Sequence, residues 1–133
     1  MSHRAAIKAL LAACTISGYP DGQVPNEPVF PYWVLFMDTG ADDQERLCGS
    51  SNKLTVRWQV TSVGMTDDAA DIVAGKTYAL LADVRPAVAG WSPGLIRRVM
   101  SIPVRPDKDV TLPSSNLHPM YAVDSYELVS RKD

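Results

Sequence analysis

This sequence of 133 residues contains no apolar run near the roughly 18 residues that a membrane-spanning helix requires. Its two cysteines, Cys14 and Cys48, are too few for a disulfide framework and favour free thiols in a reducing compartment. A basic excess is also missing, since 13 lysines and arginines face 15 aspartates and glutamates, so general affinity for nucleic acid phosphates is not expected. The composition is globular, with 46% hydrophobic residues, and the length predicts a single domain over residues 1–133.

Motifs for cofactor and metal chemistry are missing too. The glycines are dispersed at turn sites and form no phosphate-binding loop. His3 and His118 are far apart, and neither cysteine belongs to a C-x-x-C pair, so no zinc site is predicted. Asp38, Asp42 and Asp43 could surround a hard cation, but the spacing lacks the glycine and distal glutamate of a calcium loop, which favours a solvated loop. We therefore expect no cofactor and no metal ion.

One segment matches the G-x-S-x-G pattern of hydrolase nucleophile elbows: residues 90–94 read GWSPG, with aspartates and His118 downstream in the hydrolase order. An oxyanion hole would need the backbone N–H of the residue after Ser92, and that residue is Pro93, which has none. The elbow also needs a preceding strand and a following helix, whereas the predicted order here is the reverse. The pattern therefore predicts a turn over which Trp91 packs.

The N-terminal segment has the pattern of an amphipathic helix. Ile7, Leu10, Leu11 and Cys14 fall at i, i+3, i+4 and i+7, which places them on one stripe, and Gly18 would end the helix. A lipoprotein-like box ends at Cys14, but the apolar stretch before it is too short for a signal-peptide core. We expect a mature N-terminal helix in a protein of cytoplasmic origin.

A proline-rich stretch connects this helix to the first core strand. Residues 19–22 (YPDG) form a turn signature, and residues 23–24 suit a short edge strand. Pro25 and Pro28 lack N–H donors, so this lead-in cannot easily extend a sheet. The following run, residues 32–37 (YWVLFM), is almost continuously apolar, as is typical of a strand covered on both faces.

The rest of the chain predicts an α+β order. Residues 53–63 alternate as a strand with one face consisting of Leu54, Val56, Trp58 and Val60. A second helix begins near Asp67 and Asp68 and ends before Pro86; its stripe consists of Ala69, Val73, Thr77, Leu80 and Val84. Further strands are expected at residues 95–102 and 120–129. We predict an antiparallel or mixed sheet with two helices packed on one face.

Two long loops, residues 39–52 and 103–119, exceed the usual length of structureless connections and carry no catalytic constellation. Arg97 and Arg98 are neighbours in a predicted strand, so they point to opposite faces and form no single basic patch. The loops therefore indicate a protein that works through contacts.

Three stretches of the chain together resemble the tail-terminator proteins of long-tailed bacteriophages, especially those that infect actinobacteria. They are the N-terminal helix with YPDGQVP and PYWVLF, the segment RWQVTSVG with its Ala-rich helix, and the ending HPMYAVDSY. The resemblance covers most of the chain through element order and short patterns, and related neck proteins share much of this plan.

The resemblance implies a non-enzymatic virion protein, assembled in the host cytoplasm, whose subunits form a hexameric ring. The implied partners are other copies of itself, the major tail-tube protein and the head–tail connector or stopper protein, while DNA only passes through the lumen and no membrane is involved. We assign candidate interface residues to the lead-in and the long loops, and to the basic strand between them: Pro25, Pro28, Asp42, Asp43, Glu45, Arg46, Arg97, Arg105 and Asp107.

Two alternatives stay open at this point. The first is another head–tail neck, connector or tail-completion protein. The second is a small cytoplasmic enzyme or ligand-binding domain, which ring formation would exclude.

Overall fold

The structure is a computed structural model and describes residues 2–26, 28–37, 41–42, 53–111 and 117–133. This part of the chain contains two helices and seven strands. Their order is α1 (His3–Ala12), β1 (Gly18–Tyr19), β2 (Tyr32–Met37), β3 (Ala41–Asp42), β4 (Lys53–Gly64), α2 (Asp67–Leu81), β5 (Trp91–Pro93), β6 (Arg97–Pro106) and β7 (Met120–Lys132). All seven strands belong to one mixed sheet, which confirms the predicted α+β fold.

The long strands β4 and β7 form the centre of the sheet and pair antiparallel from Gly64–Met120 to Lys53–Arg131. On the far side of β4 lie β2 and the short β3, and β1 pairs parallel with β2. On the far side of β7 lie β5 and β6, both antiparallel to it. Among the described residues, β6 therefore has β7 as its one partner strand.

Both helices contribute to the core on one face of the sheet, as the alternation in β4 predicts. The buried core residues are Ile7, Leu11, Trp33, Leu35, Val56, Trp58, Val60, Val73, Leu81, Ile96, Tyr126 and Leu128. At its centre the Trp58 ring stacks on the Tyr126 ring, with centroids 5.9 Å apart and an angle of 14°. Burial raises the pKa of the Tyr126 phenol, and the nearby Asp124 carboxylate adds to this, so the ring stays neutral.

The helices begin where their capping residues predict. Ser2 Oγ accepts a hydrogen bond from the Ala5 N–H at 3.1 Å, and Thr66 Oγ1 accepts one from the Ala69 N–H at 3.1 Å. Asp67, in the first turn of α2, adds a carboxylate near the positive end of the helix dipole. Neither helix in the described ranges is long and apolar enough to cross a bilayer.

Both helices end earlier than the sequence predicts. Helix α1 ends at Ala12 and not at Gly18, whereas α2 ends at Leu81, before the predicted Val84. Ala82 already has extended backbone and Asp83 has a φ of 59°, so the chain turns away there. The buried stripe of α2 consists of Ala70, Val73, Thr77 and Leu81, so Val73 and Thr77 were predicted correctly and the other positions were not.

Gly18 is the first residue of β1, at a position where there is no room for a side chain. A Cβ atom at this position would overlap the indole ring of Trp33, which is buried against the core. The Trp33 Nε1 donates to the Ile16 carbonyl oxygen at 3.0 Å and holds the ring in place.

The turn at residues 19–22 is confirmed: the Gly22 N–H donates to the Tyr19 carbonyl, and Gly22 has a φ of 74°.

Four other predictions about strands and loops need correction. Residues 23–24 form no strand, and β3 places Asp42, predicted in a loop, opposite Leu54. Strand β6 continues to Pro106, through part of the region predicted as irregular. An edge strand tolerates proline, and a register shift between Ile102 and Arg105 accommodates Pro103. Strand β7 extends three residues beyond the predicted Val129, to Lys132.

Candidate assembly surface

The face of the sheet opposite the helices carries a wide apolar groove. Its floor consists of side chains from the three long central strands: Tyr32, Val34, Phe36, Thr61, Val63, Tyr121 and Val123. Val24, Pro25, Asn26, Pro28 and Phe30 line one wall, and the described residues near Asp107 and Pro119 line the other. The volume is about 840 Å³. We call this surface the sheet-face groove.

The groove is aromatic and almost uncharged. Tyr32 lines the groove, and its ring centroid lies 5.5 Å from that of Tyr19 and 5.3 Å from that of Phe30. Burial raises the pKa of the Tyr32 phenol, and Tyr19 and the Asp107 carboxylate raise it further, so this phenol is neutral at physiological pH. Asp107 is the one charged side chain among the described residues that line the groove.

Hydrogen bonds hold the wall that carries Asp107. Its backbone N–H donates to the Pro119 carbonyl at 2.8 Å, and its carboxylate accepts from the Asp109 N–H at 3.2 Å. His118 Nδ1 lies 2.5 Å from the Val110 carbonyl oxygen, so Nδ1 carries the proton in this contact. Asp107 is therefore presented on an ordered turn at the end of β6.

The structure brings together some of the residues predicted for an assembly interface. Pro25, Pro28 and Asp107 all line the sheet-face groove, although they are far apart in sequence. Arg105 lies in β6 opposite Tyr121, which belongs to the groove floor.

The other predicted interface residues lie elsewhere. Arg97 is at the opposite end of β6, and Asp42 lies in β3. Asp43, Glu45 and Arg46 fall outside the described residues, as does Cys48, so the prediction for the cysteine pair is not tested.

A second surface lies along the first half of β6, at the side of the sheet. Residues 97–101 are all exposed; the exposed fraction is 54% for Val99 and 61% for Met100, and Leu95 just before the strand is 45% exposed. We call residues 95–101 the β6 edge.

Two neighbouring arginines of this edge point to opposite faces, as predicted. Arg97 lies in register with Glu127, whose carboxylate Oε2 is 3.1 Å from Arg57 Nε. Arg98 lies on the helix side, with its guanidinium carbon 4.3 Å from the centroid of the Tyr78 ring.

A polar strip separates the two surfaces. Arg57, Gln59 and Ser125 line a smaller depression of about 520 Å³ on the same face of the sheet, between Phe36 and Val99. The ion pair between Arg57 and Glu127 lies in this strip and neutralises much of its charge. The sheet-face groove and the β6 edge are therefore two distinct apolar surfaces.

The serine of the hydrolase-like motif does not belong to a triad. Ser92 lies in β5 opposite Arg131, and its hydroxyl donates to the carboxylate of Asp133. His118 lies just before the start of β7, whereas Ser92 lies opposite Arg131 near the end of that strand. The two are separated by about 13 residues of extended chain, or roughly 40 Å. Trp91 packs edge-on against His3, with ring centroids 5.0 Å apart. The predicted turn is present at Gly90, which has a φ of 81°, whereas Trp91, Ser92 and Pro93 form the short strand β5 that follows it.

No cluster of three or more His, Cys, Asp or Glu side chains suited to a metal ion occurs within the described ranges. Asp124 is buried, and its carboxylate accepts a hydrogen bond from Ser101 Oγ at 2.7 Å, which ties β7 to β6. Cys14 is half-buried and free, and it packs against the core. Asp124 thus contributes to the pairing of β6 with β7, and Cys14 contributes to core packing.

Sequence reasoning missed most of the groove. The outer face of β4 looks polar in its first half but ends in Val63, and Tyr121 and Val123 continue the apolar surface in β7. The alternation of Tyr121 and Val123 with Ala122 and Asp124 was a usable signal, since it gives β7 an apolar outer face. Met65 also lines the groove, but it lies in the connection between β4 and α2, where no alternation of apolar and polar residues could indicate its position.

Comparison with known proteins supports the fold. No protein-family model and no curated protein sequence matches this chain. Among solved structures, a chain of the virion of a native gene transfer agent particle is similar, with a TM-score of 0.64 over 99% of this chain and 96% of that chain. The two sequences are 14% identical. The likeness is one of fold.

Proposed function

We propose that this protein is a structural protein of a phage-type virion. It acts as a tail terminator: its subunits form a ring, for which we propose six copies, that caps the tail tube, stops its polymerisation and provides the surface that joins the head connector. The observation that carries the proposal is the fold likeness, over almost the full length of both chains, to a chain of a virion particle. The short patterns that resemble tail terminators support the same role.

The surface of the subunit is consistent with this role. A ring of identical subunits needs two different surfaces on each copy, because its interfaces are head-to-tail. The sheet-face groove and the β6 edge are two apolar surfaces of this kind. Among the described residues that line the groove, no pair of groups is suited to acid–base or nucleophilic chemistry, so we propose no catalytic role.

The proposed partners follow from the position of such a ring. One side of the ring contacts the major tail-tube protein and the other contacts the connector or stopper protein of the head. DNA passes through the lumen without being gripped, which agrees with a net charge of -2 per subunit.

Two measurements test the proposal. Purified protein, alone and with tail-tube protein, should form a ring in light scattering and electron microscopy, whereas a monomer at all concentrations would contradict a structural role. Deletion of the gene should then produce overlong tails. If tails have normal length but remain unattached to heads, the protein is instead a neck or connector component, which has the same support from the fold.

A further inference from the structure

The exposed large apolar side chains of the described residues fall mainly into two groups. Six line or adjoin the sheet-face groove: Val24, Val29, Phe36, Met65, Val110 and Leu117. Three lie on the β6 edge, namely Leu95, Val99 and Met100, and the other two lie on α2. The β6 edge is the first half of its strand, whereas the groove wall at Asp107 follows the opposite end of the same strand. Met100 lies roughly 20 Å from Pro106 along the extended strand, and β7 holds that strand straight by pairing with it. The edge of a subunit therefore does not reach its own groove, and docking between them joins two molecules.

The β6 edge presents backbone groups as well as side chains. Among the described residues β6 pairs with β7 on one side, and no described strand pairs with its other side. A strand edge of this kind presents N–H and C=O groups to which another chain can bond. Pro103 and Pro106 remove donors from the second half of the strand, whereas residues 97–101 contain no proline and keep their N–H groups. The accessible part is therefore the first half, which carries Val99 and Met100.

Charge favours the groove as the site for this edge. The edge carries Arg97 and Arg98, whereas the one charged side chain of the described groove lining is Asp107, a carboxylate. If two β6 edges paired with each other, four arginines would meet, and like charges placed across strands are destabilising. The opposite signs of edge and groove favour a head-to-tail contact instead.

We propose that the β6 edge of one subunit docks into the sheet-face groove of a second copy of this chain. Val99 and Met100 enter the aromatic groove, and an arginine of the edge reaches Asp107. This inference rests on the proposed function, since repeated head-to-tail docking of this kind closes into a ring when the rotation allows it.

Two matched substitutions test the contact. Met100→Lys blocks the edge and leaves the groove intact, and Met65→Lys blocks the groove and leaves the edge intact. In each variant alone, the affinity between subunits should fall at least about tenfold relative to the wild type, because the contact would bury a lysine without a partner. Ile72→Lys, on the exposed side of α2, is the matched control and should assemble like the wild type.

Mixing the two variants gives the decisive result. An equimolar mixture of Met100→Lys and Met65→Lys retains one intact edge and one intact groove, so light scattering should detect a dimer and nothing larger. Assembly of either variant at wild-type strength, or a mixture that stays monomeric, would overturn this inference while the wild-type ring would still support the proposed function. A wild-type protein that remains monomeric, even with tail-tube protein, would overturn both.

A charge exchange provides a second route if a lysine variant fails to fold. Arg97→Glu and Asp107→Arg should each weaken assembly, and the chain that carries both should recover it. Circular dichroism establishes first that each variant is folded. If the double variant assembles no better than the single variants, Arg97 does not meet Asp107, and if neither single variant weakens assembly, the docking itself is wrong.

Discussion

His3 Nε2 lies 2.9 Å from Ser130 Oγ, a contact that joins the first turn of α1 to the last strand, 127 residues away in sequence. The imidazole is buried and also packs edge-on against Trp91. The N-terminal helix is thereby attached to the end of the sheet where β5 and β7 pair. This single side chain connects three elements that the sequence does not link.

This contact predicts a pH dependence of stability. Burial lowers the pKa of His3 below its usual 6.5 in the folded protein. Between that lowered pKa and about 6.5 the unfolded chain binds a proton that the folded chain does not, so the free energy of unfolding should fall as the pH falls. Urea unfolding at pH 7.5 and 5.5 measures the loss. His3→Gln should reduce the loss; an equal loss in the variant would assign it to other groups.

Gly18→Ala should destabilise the fold by about 1–3 kcal/mol, the usual cost of overpacking. The added methyl group would overlap the Trp33 indole, which is confined by its hydrogen bond to the Ile16 carbonyl. Denaturant unfolding measures the change, and tryptophan fluorescence reports whether the ring has moved. If the stability is unchanged, β1 can move away from the Trp33 ring at no cost in free energy.

Gly75→Ala should have the opposite effect. This glycine lies in the middle of α2, is exposed, and has no atom within 4 Å of the position that a Cβ would take. Replacing glycine by alanine in a helix interior stabilises by up to about 1 kcal/mol. The same unfolding measurement applies, which makes this variant the control for Gly18→Ala. A loss of stability would show that the exposed face of α2 is constrained by something else.

Pro25→Ala and Pro28→Ala should weaken ring assembly more than they weaken folding. Both prolines line a wall of the sheet-face groove, and each limits the freedom of a segment that docking would have to order. Each replacement should cost assembly about 0.4–1 kcal/mol. Sedimentation measures assembly, and urea unfolding measures folding.

The control for the proline variants is Pro20→Ala, in the turn outside the groove, which should leave assembly unchanged. If Pro25→Ala and Pro28→Ala change unfolding and leave assembly intact, the prolines act only within the subunit. In that case they serve to keep the lead-in from adding to the sheet.

Local patterns were enough to predict much of the fold. Burial in strand β4 alternates between the helix-covered face and the outer face from Val56 to Ser62, and α2 begins at Asp67, where the first-turn carboxylates predict it. The candidate site was less predictable. Pro25, Pro28 and Asp107 could each be identified as interface candidates from the sequence. That all three line one groove depends on the order of the strands in the sheet, which the sequence patterns do not give.

The sequence by itself determined the α+β class and the helix-covered face of the sheet, because periodicity is a local property. It also determined that the residue after Ser92 has no backbone N–H, because that residue is Pro93. The tertiary structure decided the place of Gly18 in a strand, the extension of β6 through Pro103, and the separation of the groove from the β6 edge. Each of these depends on a neighbour distant in sequence: Gly18 pairs with Trp33 of β2, and β6 pairs with β7. Such contacts arise from packing, which no short stretch of sequence contains.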